Sequence, residues 1–264
     1  MRRNVHASYT VTHARSRRWI ADVVARVRQY RHMKLSTALA LPVAFLLGCG
    51  GDDGVVTPDA PANVNCPTTG RYLPLATGNS WTYQVTDVGT GAMESKTQTV
   101  GAVEDVGGVK AGTMAFRVST TKVGGAVTSW QQDTGEAIVR HRETDAAGAQ
   151  MTEEIYTPSK LRVDESAAHT AMGATWTITY DEAVTNTATN MTVTVGKTEN
   201  WRVEMVDDVI TVGAGSFCAL RVGRTSSSAG GSTSDKVFWY VRGVGKIREQ
   251  GTDQIEDLQS FTVN

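Results

Sequence analysis

Thr175-Trp176-Thr177-Ile178-Thr179-Tyr180 alternates without a break, with threonines on one side of an extended chain and Trp176, Ile178 and Tyr180 on the other. A period of two sends successive side chains to opposite faces of a strand, and β-branched and aromatic residues suit a half-buried pleated surface. The pattern recurs at Met191, Val193 and Val195, and again in Phe217, Ala219 and Arg221 set against Cys218, Leu220 and Val222. Gly107-Gly108, Gly124-Gly125, Ala147-Gly148 and Gly230-Gly231-Ser232 fall where hairpin turns are needed. Nothing after residue 49 keeps a helical period for more than two turns. The expectation is an all-β domain of a dozen or more strands.

The chain also repeats itself. Gly78-Asn79-Ser80-Trp81-Thr82-Tyr83 answers to Gly173-Ala174-Thr175-Trp176-Thr177-Ile178, and Val103-Glu104-Asp105-Val106 to Val206-Asp207-Asp208-Val209. Ala115-Phe116-Arg117-Val118 matches Ala219-Leu220-Arg221-Val222, and Trp130, Ile138 and Arg140 match Trp239, Ile247 and Arg248. Blocks recurring in order predict two pseudo-repeats, about 72–160 and 161–264, within a β domain spanning 71–264. The competing reading is that β meanders with glycine turns resemble one another.

Residues 1–48 hold eight Arg and one Lys against a single acid, Asp22. Setting those aside from totals of 26 basic and 27 acidic residues leaves 17 basic and 26 acidic from Cys49 onward, a net charge of −9. A body this acidic is repelled by nucleic acid and by anionic headgroups, so no nucleic-acid partner is expected. The long apolar run, Leu35 to Leu47, is about 13 residues, short of the ~20 a spanning helix needs and suited to a signal h-region. A second methionine, Met33, opens a compact positive start, so residues 1–32 read as a mis-assigned translation start.

Leu46-Leu47-Gly48-Cys49 resembles the lipobox of bacterial lipoproteins. The resemblance implies that the Cys49 thiol is acylated and the chain cut before it, with two or three acyl chains anchoring the protein to a membrane. Gly50 rather than Asp after the cysteine implies sorting to the outer membrane. Residues 49–70, rich in Gly, Asp, Pro and Asn, read as a flexible lipid-bearing tether. Two further stretches, Tyr72-Leu73-Pro74-Leu75-Ala76-Thr77-Gly78-Asn79-Ser80-Trp81-Thr82-Tyr83 and Trp239-Tyr240-Val241-Arg242-Gly243-Val244-Gly245-Lys246-Ile247-Arg248-Glu249, resemble a group of secreted bacterial lipoproteins of unknown function. That resemblance implies a strongly curved antiparallel sheet, half-barrel or barrel-like, similar to periplasmic lipoprotein carriers, some of which shelter acyl chains in the concavity.

No catalytic or metal-binding pattern stands out. His141 and His169 are the histidines beyond the signal, and neither zinc spacing, a Gly-x-Ser-x-Gly elbow nor a calcium-loop order is present. No cofactor is expected, and the protein is expected not to be an enzyme. Trp81, Trp130, Trp176, Trp201 and Trp239 either fill the core or line a hydrophobic ligand cavity, and both readings need the rings on the concave face. With Cys49 acylated, Cys66 and Cys218 remain in an oxidising compartment, where a disulfide between them is expected. The alternative is two separate thiols, Cys218 in the core and Cys66 in the tether. The leading functional expectation is a membrane-anchored module that binds a hydrophobic ligand or an envelope protein. A structural envelope protein without a ligand comes second, and an unrecognised enzyme third.

Overall fold

The computed structural model describes residues 64–147 and 150–264. The signal segment, Cys49, most of the expected tether and the Gly148 turn lie outside the described residues. Thirteen strands follow in order: β1 (Val64–Asn65), β2 (Ser80–Asp87), β3 (Met93–Asp105), β4 (Met114–Lys122), β5 (Gly125–Asp133), β6 (Ala137–Ala147), β7 (Gln150–Asp164), β8 (Thr175–Asn186), β9 (Met191–Val212), β10 (Gly215–Ser228), β11 (Thr233–Val241), β12 (Gly245–Gly251) and β13 (Gln254–Thr262). Each strand from β2 to β13 pairs antiparallel with the next, and β13 pairs with β2. The expected curved sheet therefore closes on itself, into a twelve-stranded up-and-down barrel. Closure is one way an antiparallel sheet disposes of its edges. Strand β1, at the end of the expected tether, lies outside the cycle, parallel to β10.

Directly paired residues share a face, so the register identifies the interior. From Val85 it leads through Glu256, Glu249, Phe238, Val222 and Val203, all buried. On β3, β4 and β5 the paired residues Val100, Val118 and Ser129 form another buried row. The outer rows are hydroxyl-rich: Thr175, Thr177 and Thr179 on β8 are exposed. A lipid-facing barrel wall carries an apolar band instead.

The same pairings recur in β2–β7 and β8–β13. Gly78 N–H donates to Val100 O at 2.9 Å and Val100 N–H to Asn79 O at 2.8 Å; Gly173 N–H donates to Val203 O at 3.1 Å and Val203 N–H to Ala174 O at 2.9 Å. Gly78 and Gly173 hold φ of 93° and 76°, which a side chain would strain. Trp130 opposes Arg117 and Arg142, with a bulge after it; Trp239 opposes Arg221 and Arg248, with the same bulge. These pairings shift three of the expected matches, among them Ile138 with Ile247, whose place in the first half is taken by His141. Arg142, not Arg140, is the counterpart of Arg248, because His141 and Ile247 are the bulged residues. Glu104 faces Ala115 as Asp208 faces Ala219, because β9 carries an additional residue near Asp207, whose φ is 57°.

One barrel end is closed by the chain leading into β2. Tyr72 and Leu73 pack with Ile138, Val163, Trp201 and Tyr240, and their backbone N–H groups donate to Glu165 at 3.0 and 3.1 Å. Cys66, next to β1, is bonded to Cys218 of β10, with Cα atoms 4.7 Å apart, inside the usual disulfide range.

Candidate functional site

The five tryptophans do not share a face, contrary to the expectation that the rings gather on the concave side. Trp81, Trp176 and Trp201 point inward. Trp176 stacks on Trp201 at 6.0 Å between centroids, Trp201 on Phe238 at 5.8 Å and Phe238 on Tyr240 at 5.9 Å, a ladder across the interior. Trp130 and Trp239 take the opposite face, in the same position of each half. Trp130 packs with Val106 and Ala115 near the tip of the β3–β4 hairpin, and Trp239 clusters with Val212, Phe217 and Ala219 near the tip of β9–β10. Their indole N–H groups donate to Glu104 and to Asp208, each at 2.8 Å, with Arg142 over one ring and Arg221 over the other. Hydrogen bonds to a charged acceptor contribute about 1.5–3 kcal/mol. A double-mutant cycle of Trp239→Phe with Asp208→Ala is expected to give a coupling of about 1–2 kcal/mol in urea unfolding. Strictly additive losses would mean the bond contributes nothing.

Between the rings the interior is ionic. Lys246 Nζ donates to Glu249 at 2.5 Å and Glu256 at 2.8 Å; Lys96 Nζ reaches Glu256 at 2.5 Å, and Lys236 pairs with Glu249. In the other half Arg140, the counterpart of Lys246, pairs with Glu143, the counterpart of Glu249. Burial opposes the charge on Lys246, but Glu249 and Glu256 outweigh it and hold the ammonium above its ordinary range. Burial likewise raises Glu249 and Glu256, and Lys246 overcomes it, so both carboxyls lie below the ordinary range. Burial and repulsion from Lys246 bring Lys96 down to about 8. Every inward charge in this cluster is spent on a neighbour. Sequence reading missed it, since lysines and glutamates in a strand look like surface.

Two grooves open on the wall around β8. Its residues 181–186 pair with β7 residues 157–152, but residues 175–180 pair with β9 alone. Beyond Pro158, which has no N–H to donate, β7 stays with β6 through Ala137↔Asp164 and leaves β8. A groove of about 440 Å³ opens at this fork, lined by Thr157, Pro158, Thr179, Asp181 and Ser228. A second, of about 610 Å³, borders the same strand at Thr175 and Thr177, with Asn200, Arg202, Thr225 and Asp235. Both are larger than a minimal ligand pocket; the first is mainly polar, whereas in the second Trp176, Trp201 and Val237 join the polar side chains. At the closed end of the fork His169 stacks on Trp176 at 4.3 Å and bonds Asp164 at 2.8 Å. Among the described residues no group of three His, Cys, Asp or Glu side chains could hold a metal ion, and no helix is long and apolar enough to cross a membrane.

No known family profile matches the chain, and no curated protein matches it. Two solved structures are similar in outline. A protein described as a lipoprotein from Parabacteroides distasonis ATCC 8503 is 12% identical, with a TM-score of 0.41 over 74% of this chain and 100% of that one. An exported protein with YmcC-like fold from Bacteroides fragilis NCTC 9343 is 9% identical, with a TM-score of 0.42 over 72% and 98%. Likenesses this weak carry no functional inference.

Proposed function

We propose that the protein is an envelope lipoprotein, anchored in the outer membrane through Cys49, whose barrel is an interaction module for another envelope component and not a carrier of acyl chains. The observation that supports this reading most directly is where space remains. The interior carries an aromatic ladder and mutually paired charges, whereas grooves on the outer wall border an unpaired length of β8. Native mass spectrometry of the protein, extracted from its own envelope in mild detergent, tests it. The expected result is a co-purifying protein and no lipid mass beyond the anchor. A second, non-covalent lipid retained by the barrel would overturn the reading in favour of a carrier.

The anchor makes its own prediction. Cys49→Ser removes the acylation nucleophile, so labelled palmitate should no longer be incorporated and uncleaved precursor should accumulate. Label entering the Cys49→Ser protein at the wild-type level would show that the lipid is elsewhere.

A further inference from the structure

We propose that residues 175–180 of β8 are a docking edge for an extended segment of a partner protein, which adds to the barrel wall as a strand. This deepens the interaction reading above and rests on it. An unpaired strand edge presents alternating N–H and C=O groups, and an extended peptide that pairs with them gains affinity from main-chain bonds and selectivity from alternate side chains.

The other half of the barrel shows what fits. By the shared Gly–Val pairings, Thr175, Trp176, Thr177 and Ile178 correspond to Ser80, Trp81, Thr82 and Tyr83. There the edge is occupied: Thr262, Phe261, Ser260 and Leu258 of β13 pair with those four residues in turn. Beside this pairing Trp81, Tyr83 and Leu258 are buried, while Phe261 is exposed at the end of the strand. On β8 the corresponding Trp176 and Ile178 stay partly exposed. The halves differ because β13 leaves β12 to stay with β2, while β7 leaves β8 to stay with β6.

A second observation points to the same place. Trp81 Nε1 donates to Val244 O at 2.6 Å. Trp176 Nε1 is buried and finds no acceptor among the described residues, an arrangement that normally calls for a partner. The groove lined by Thr157, Pro158, Thr179 and Asp181 also borders this edge. The chain's own tether is a poor occupant. Pro58 and Pro61 interrupt the stretch before β1 with residues that donate no hydrogen bond, and the stretch has few apolar side chains to cover Trp176 and Ile178. The occupant implied is a partner's strand like the end of β13: apolar residues facing Trp176 and Ile178, small polar residues facing out.

The test uses the full-length protein in detergent and a fluorescent synthetic peptide with the sequence of residues 254–264. Its control is the same peptide N-methylated at alternate amides, which cannot donate along one edge. The expected result is saturable binding, weakened at least ten-fold by N-methylation, with hydrogen exchange slowed at residues 175–180. No saturable binding, equal binding of the methylated peptide, or protection confined to residues 80–85 through displacement of the native β13 would each overturn the proposal. Failure here would leave a co-purifying envelope partner standing. Failure to find that partner would leave peptide binding in vitro intact, so the two readings fall separately.

Discussion

Lys246→Met is expected to be among the most damaging single substitutions in the barrel, costing about 3–5 kcal/mol, the usual loss when one member of a buried ion pair is removed. The cost comes from what is left behind. Glu249 and Glu256 are both buried and oppose each other across the β12–β13 ladder, with Lys246 between them. Without the ammonium, two carboxylates face one another in a poorly solvated site, and Lys96 and Lys236 reach them only from the sides. The triple variant Lys246→Met, Glu249→Gln, Glu256→Gln should recover most of the loss, because it removes charge without stranding any.

The pH dependence separates this cause from lost packing. Glu249 and Glu256 titrate below their unfolded values in the folded protein. Their contribution is therefore fully present above about pH 4.3, the unfolded value, and lost as pH falls through the folded values. Lys246 is raised, so its contribution holds below about pH 10.4 and is lost as pH rises through its folded value. Lys96, lowered to about 8, acts in the opposite sense: between its folded and unfolded values the unfolded chain binds more protons, and stability rises with pH there. In Lys246→Met the carboxyls lose the partner that depresses them and bind protons at higher pH than in wild type, so the penalty should shrink as the solution is made acidic. A penalty unchanged between pH 3 and pH 7 in urea unfolding would show that volume, and not charge, is its source.

These charges also mark the boundary of what the sequence makes legible. Strands such as Thr175–Asn186 are visible because hydrophobic alternation and the pleat share a period. Alternation read as hydrophobicity misses Lys96, Glu249 and Glu256, which occupy inward positions as ions and are tolerable only because each meets its opposite across a neighbouring strand. The repeat is visible for a similar reason: Gly78 and Gly173 are fixed by backbone conformation. Its register is not. The additional residue near Asp207 and the bulged His141 and Ile247 displace the matching blocks by one to three positions, and pairing across strands is needed to see it. The two Trp–acid bonds depend on hairpin tips packing against the wall, a long-range event with no local signature. The fork at β8 had a weak one, since Pro158 interrupts a run that otherwise reads as strand.

Loss of the Cys66–Cys218 bond is the other large effect expected. The bond links β1 to β10 across a separation of 152 residues, and chain-entropy reasoning assigns such a loop up to about 5 kcal/mol, felt chiefly through the unfolded chain. For a domain of this size that corresponds to a fall in Tm of roughly 10 °C or more. There is a local consequence as well. Strand β1 pairs with β10 at two residues, Val64 with Ser216 and Asn65 with Phe217, too short a ladder to persist unaided. The next fixed points are the Gly70 carbonyl, which accepts from Arg242 at 3.2 Å, Arg71, bridged to Asp133 at 2.7 Å and Glu165 at 3.3 Å, and the Tyr72 and Leu73 N–H groups on Glu165. A Cys66→Ala, Cys218→Ala protein should therefore keep the barrel and its closed end while residues 64–69 come loose. Limited proteolysis should cut within 64–69 at least ten-fold faster than in wild type, with the hairpins cut no faster. An unchanged Tm and an unchanged cleavage pattern, with the wild-type bond verified by thiol titration under denaturing conditions, would show that the bond neither stabilises the barrel nor holds the start of the domain.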